Sequence, residues 1–145
     1  MRAALARDDG STLPLVLGFG ALALVLVLVV AAASSLYLER KRLFTLADGA
    51  ALVGAESFGL DDVENVDGRL IPRLDPAEVD AAVAAYVAGQ PVGEHRALAV
   101  DVATTPDGRS ARVTVSADWS PPALEGFLPA VLRVDATATA RAVFR

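Results

Sequence analysis

A chain of 145 residues with no cysteine and a single histidine, His95, has no material for a disulfide, a thiolate nucleophile or a multi-histidine metal centre. Its formal net charge of −5, from 13 Lys+Arg against 18 Asp+Glu, excludes the basic footprint expected of a nucleic-acid binder. The 54% hydrophobic share is high for a soluble protein, and the excess is concentrated in the first third of the chain.

Residues 1–12, MRAALARDDGST, read as a polar leader in which Asp8 and Asp9 offset Arg2 and Arg7, so the positive start of a secretory signal is not present. From Leu13 to Leu36 the next 24 residues carry no formal charge. At about 1.5 Å per residue, a helix of that length reaches roughly 36 Å, enough to cross about 30 Å of hydrocarbon with some tilt. The sequence therefore predicts a membrane-spanning helix over 13–38. Ala31 and Ala33 form an Ala-x-Ala site for signal peptidase, but the apolar run is longer than that of a signal peptide, and Leu36, Tyr37 and Leu38 carry it on. An uncleaved anchor is expected. Arg40, Lys41 and Arg42 follow the span, and taken alone the positive-inside rule would put the C-terminal domain in the cytoplasm. The same cluster could instead meet anionic headgroups or acidic neighbours.

Residues 39–58 continue the helix. Leu43, Leu46, Ala47, Ala50, Ala51 and Gly54 follow the spacing of one helical face. Ala47, Ala51 and Ala55 repeat every four residues, as do Ala50 and Gly54, so another helix or a sheet can approach the backbone closely. The stripe fits two uses: docking on the chain's own domain, or packing between subunits.

Asp8-Asp9-Gly10-Ser11, then Pro14-Leu15-Val16-Leu17-Gly18-Phe19 ahead of the apolar run, Leu36-Tyr37-Leu38, and Leu46-Ala47-Asp48-Gly49-Ala50-Ala51-Leu52 together carry a resemblance. The sequence resembles the TadE/TadG-like proteins of tight-adherence (Flp, type IVb) pilus systems, particularly the actinobacterial forms, over roughly residues 7–56. The resemblance implies a pilin-like plan, a cytoplasmic N-terminus and an extracytoplasmic domain, against the simple charge count. Gly10 and Ser11 stand where a prepilin peptidase cuts such relatives. The fifth residue after Gly10 is Leu15 rather than the Glu of a standard pilin, which fits an uncleaved TadG-like member better. Pro14, Leu15 and Phe19, with the Ala47, Ala50, Ala51 and Gly54 stripe, are the residues expected to pack helices during assembly.

Residues 59–145 are expected to form a small α+β domain, extracytoplasmic as the resemblance implies. Residues 59–74 read as an acidic, solvated connection. Registering Gly68 as the sixth position of an EF-hand loop places Val63 and Leu74 at the first and twelfth, so two essential calcium ligands are missing. Asp75, Pro76 and Glu78 signal a helix start, and Val79, Ala82, Val83, Tyr86 and Val87 give it an apolar face that Gly89 and Pro91 terminate, so a helix is predicted over 76–88. Leu98, Val100 and Val102 alternate with polar or small residues, a turn follows at 105–108, and Val113, Val115, Ala117 and Trp119 alternate in turn, which predicts a hairpin. A third strand carries Leu132, Val134, Ala136, Ala138, Ala140, Ala142 and Phe144 on one side. The fold class expected is α+β and pilin-like: a long N-terminal helix, a short helix and an antiparallel sheet of about three strands.

Between the last two strands, Leu124, Phe127 and Leu128 offer a partner contact, or cap the open end of the sheet. No serine or acid stands at a triad spacing from His95, which reads as a solvated loop residue. No catalytic residue, cofactor or metal is implied. The function expected is that of a membrane-anchored accessory subunit, a minor pilin or pseudopilin, whose partners are the lipid bilayer, other pilin-like subunits and the pilus machinery. It would sit in the cytoplasmic membrane as a single-pass protein, with incorporation into a pilus left open. The alternative is an envelope-anchored module that binds a polymer or protein ligand through the 120–131 connection, with Trp119 and Phe127 as aromatic anchors.

Overall fold

The computed structural model describes residues 12–91, 95–122 and 131–143. Its dominant element is α1, Thr12–Ala55, one uninterrupted helix of 44 residues and about 66 Å. No glycine or proline breaks it between the apolar run and the basic cluster, so Arg40, Lys41 and Arg42 are carried on the same rod as the span. The remaining elements are β1 (Val63–Val66), β2 (Arg69–Pro72), α2 (Pro76–Ala88), β3 (Arg96–Thr104), β4 (Ser110–Trp119) and β5 (Leu132–Arg141). The class is α+β, with a three-stranded antiparallel sheet in the order β3-β4-β5 and a separate hairpin β1-β2.

The C-terminal part of α1 lies across β4 and β5, and α2 packs between α1 and β3. Small side chains permit this. Ala111, Val113, Val115 and Ala117 of β4 and Val134, Ala136 and Ala138 of β5 are buried beneath the helix. A floor of alanines and valines is shallow, so the helix backbone comes close to the sheet. The other sheet face is polar: Thr114 and Thr137 hydrogen-bond across β4 and β5 at 2.9 Å, and Arg133 reaches Asp118 at 3.2 Å and Ser116 at 2.8 Å. Asp75 caps α2 as its sequence predicts, its carboxylate accepting from the backbone N–H of Ala77 at 2.7 Å and of Glu78 at 3.3 Å.

Two expectations need correction. The acidic connection over 59–74 is structured: it holds a 3₁₀ turn at Leu60–Asp62 and the β1-β2 hairpin, paired from Val63↔Pro72 to Val66↔Arg69. Asp67 (φ 52°) and Gly68 (φ 76°) make its two-residue turn, and positive φ at both positions is what a type I′ turn requires. Asp-Gly between short β-prone runs is the signal that predicts it. Its polar residues serve the loop itself, Asp62 accepting from the Gly59 N–H at 2.8 Å and Asn65 from the Gly68 N–H at 3.0 Å.

The second correction concerns β3, where strict alternation fails. Its pairing with β4 shifts between Val100 and Val102, so Leu98, Val100 and Ala103 pack on the core while Val102 is 40% exposed. An extra residue in one strand reverses the faces of everything beyond it.

Candidate functional site: the two halves of the long helix

Between Thr12 and Ser34 the side chains of α1 are exposed, with Leu28 and Ala32 alone half-buried. This half is long and apolar enough to cross a membrane. Pro14, Leu15, Gly18, Phe19 and Leu22 share a face at three- and four-residue spacing and line a shallow groove of about 260 Å³. A Cβ added to Gly18 would meet no other atom within 4 Å. The result is a notch walled by Leu15 and Phe19, both well exposed, the shape into which a second helix can pack.

The other half has the opposite fate. Leu43, Leu46, Ala47, Ala50, Ala51 and Gly54 are all buried, covered by the chain's own sheet and α2. A Cβ on Gly54 would stand 3.1 Å from Ala111 Cβ, 3.2 Å from Val79 Cγ1 and 3.2 Å from Val83 Cγ2. A Cβ on Gly49 would collide with the Tyr86 hydroxyl. The small residues of the Ala47, Ala50, Ala51 and Gly54 stripe are therefore spent inside the domain. In the structure the stripe docks the helix on the chain's own sheet and α2.

Two polar contacts mark the junction of the halves. The Trp119 indole N–H donates to Ser35 Oγ at 3.2 Å, and His95 Nδ1 meets Glu39 Oε1 at 2.7 Å, with only 6% and 13% of the two side chains exposed. His95 is thus not the solvated loop residue expected from the sequence; it ties the strand β3 entry to α1. Arg42, Thr45, Tyr86, Gln90 and His95 border a cavity of about 230 Å³ beside this contact. Sequence reasoning missed both contacts, since pairs separated by 84 and 56 residues leave no local pattern. The face of α1 turned away from the sheet carries Tyr37, Arg40, Lys41 and Phe44 around a second open groove.

Gly10, Ser11, Leu124, Phe127 and Leu128 lie outside the described residues. Trp119, an aromatic anchor of the alternative binding-module reading, is half-buried and engaged by α1. Among the described residues no group of three or more His, Asp or Glu side chains is placed to hold a metal ion.

The element that decides the comparison with known proteins is α1 itself. Residues 10–57 match the family described as "Putative Flp pilus-assembly TadE/G-like". No curated protein and no solved structure matches the chain. The TadE/G-like match begins at the Gly10-Ser11 pair, covers the whole of α1 and ends two residues after it. It spans both the exposed notch and the buried stripe, and it points to a role in pilus assembly. The hairpin, α2 and the three-stranded sheet lie beyond the TadE/G-like segment, so the part of the fold that covers the helix is outside the matched region.

Proposed function

We propose that the protein is a membrane-anchored, pilin-like accessory subunit in the assembly of a Flp/Tad-type surface pilus. The observation that carries this reading is the division of α1: one continuous helix, apolar and exposed from Thr12 to Ser34 but for the half-buried Leu28 and Ala32, whose remainder is the central element of a folded domain. Such a helix gives a subunit a membrane anchor and a rigid connection to the part that other components meet. The TadE/G-like match over the same helix supports a place in pilus assembly. In this reading the N-terminus is cytoplasmic, the sheet domain is extracytoplasmic, and Leu15 in place of a glutamate favours an anchor retained uncleaved. Pro14, Leu15 and Phe19 pack against another pilin-like helix through the notch at Gly18, while the Ala47 to Gly54 stripe holds the domain together and is not an assembly surface.

The test is the double substitution Gly18→Leu with Phe19→Ala, which fills the notch and removes one of its walls. Surface pili counted by electron microscopy should be lost, while the amount of protein in the membrane and the accessibility of the sheet domain to protease in wall-stripped cells stay as in the parent. Normal piliation overturns the assembly role. A sheet domain shielded from protease in those cells overturns the orientation.

A further inference from the structure

The stripe by which α1 meets the rest of the chain does not stop where the charges stop. Below Glu39 it continues through Leu36, Ser35, Ala32 and Leu28, all half-buried and all at helical spacing from the buried residues above. Pro121 and Pro122, which follow β4, line a groove of about 350 Å³ together with Val25, Leu28, Val29 and Ala32. That position lies inside the uncharged stretch from Gly10 to Leu38, 29 residues long. A hydrocarbon core of about 30 Å takes up about 20 helical residues. Any window of about 20 within 10–38 contains Val25, Leu28 and Val29. Wherever α1 sits along its axis, the two prolines face residues that belong in hydrocarbon.

We propose that the β4-β5 end of the sheet is inserted into the bilayer beside α1, with lipid acyl chains filling the groove between the helix and Pro121-Pro122. The proposal rests on the membrane-anchor reading above and extends it from the helix to the sheet domain. Irregular backbone enters an apolar medium at the cost of its unsatisfied N–H groups, and two successive prolines have none to lose. Trp119 stands two residues before them with its indole N–H on Ser35, an apolar ring with a polar handle of the kind that settles at the membrane interface. Val131 and Leu132 at the same end of the sheet are 62% and 50% exposed, a liability in water and a gain in lipid. Arg133, next along β5, is held by Asp118 and Ser116 on the polar sheet face, within reach of headgroup phosphates above the inserted edge. The groove is continuous with the uncovered surface of α1, so the lipid that surrounds the span is the occupant already at hand.

The chain has no cysteine and one tryptophan, which makes the test direct. The full-length protein carrying Pro122→Cys is spin-labelled and reconstituted at high dilution in phosphatidylcholine/phosphatidylglycerol vesicles, with Val27→Cys as the control inside the span and Leu70→Cys as the control in water. The label at 122 should collide more with oxygen and less with a nickel chelate than the label at 70, as the label at 27 does. In the unsubstituted chain, acyl-brominated lipids should quench Trp119 fluorescence. Chelate access at 122 with lipid access at 27 overturns the proposal, and so does an unquenched Trp119. Exclusion of both reagents from 122 overturns it too, since a second protein copy then fills the groove. Chelate access at both 27 and 122 overturns the anchor reading and the proposal with it.

Discussion

The two halves of α1 use the same alphabet for opposite ends. Gly18 and Gly54 both sit in apolar helical surroundings, yet a Cβ added to the first would meet open space and one added to the second would stand 3.1–3.2 Å from three methyl groups. Leu24 and Leu43 are the same residue on the same helix, one 61% exposed and the other fully buried. Composition does not separate them; what does is whether a sheet of small residues lies opposite. Apolar character alone thus says that a helix face will be covered, while the covering partner, lipid or protein, is set by the rest of the chain.

The largest effect expected from this contrast is at the leucines. Leu43→Ala removes a buried side chain from the contact between α1 and the sheet and should cost about 2–5 kcal/mol of domain stability, as cavity-forming changes do. Leu24→Ala has no such contact to lose and should leave the domain's denaturation midpoint where it was. The measurement is chemical denaturation of the full-length protein in micelles, followed through the near-ultraviolet signal of Trp119, which packs against the core. Equal losses in the two variants would break the division of the helix.

The glycines sharpen it at smaller scale. Gly54→Ala gains helix propensity of about 1 kcal/mol, but its methyl must push against Ala111 Cβ, fixed to a strand backbone, and against Val79 and Val83, both fully buried. With no direction left to yield, overpacking of about 1–3 kcal/mol outweighs the gain, and the domain should lose up to about 2 kcal/mol net. Gly18→Ala should leave the same midpoint unmoved. A stabilised Gly54→Ala variant would mean that α1 can lift from the sheet.

How much of this is legible in the sequence follows from range. The stripe from Leu43 to Gly54 recurs every three or four residues, so its period alone marks a buried face, and Asp75-Pro76 fixes the start of α2 by chemistry confined to one turn. The alanine strand β5 is readable for the same reason. The Asp67-Gly68 turn is equally local, but the acidic residues around it point to a solvated loop and mask the hairpin. The shift in β3 is not legible, since alternation presumes a regular pleat and a single extra residue inverts it. Nor is the junction: Glu39 with His95 and Ser35 with Trp119 are single contacts between distant segments, and period carries no information about them. For the same reason the stripe's two uses cannot be told apart from the sequence, as both demand small residues at four-residue spacing.

The smallest expected effect tests whether the buried half of α1 and the sheet are one cooperative unit. Asp107, in the turn between β3 and β4, accepts from the backbone N–H of Arg109 at 2.9 Å and of Ser110 at 2.6 Å, and from the Ser110 hydroxyl at 3.1 Å. These bonds, that from Arg109 foremost, hold its carboxyl below the ordinary 3.8. A carboxyl whose folded value is depressed contributes stability that is fully present above 3.8 and lost as pH falls through its folded value. The turn is tied in at both sides, the Gly108 carbonyl accepting from the Leu74 N–H at 2.9 Å and the Arg109 carbonyl from the Ala142 N–H at 2.8 Å. Acidification below 3.8 should therefore speed amide hydrogen exchange, relative to the intrinsic rate, in Leu43–Ala55 as well as in β4, and leave Leu13–Val30 unaffected. In Asp107→Ala that pH-dependent part should vanish from both segments together. Were it to vanish from β4 alone, the upper half of α1 would be resting on the sheet without sharing its stability, and the contrast between the two halves of the helix would be one of contact and not of folding.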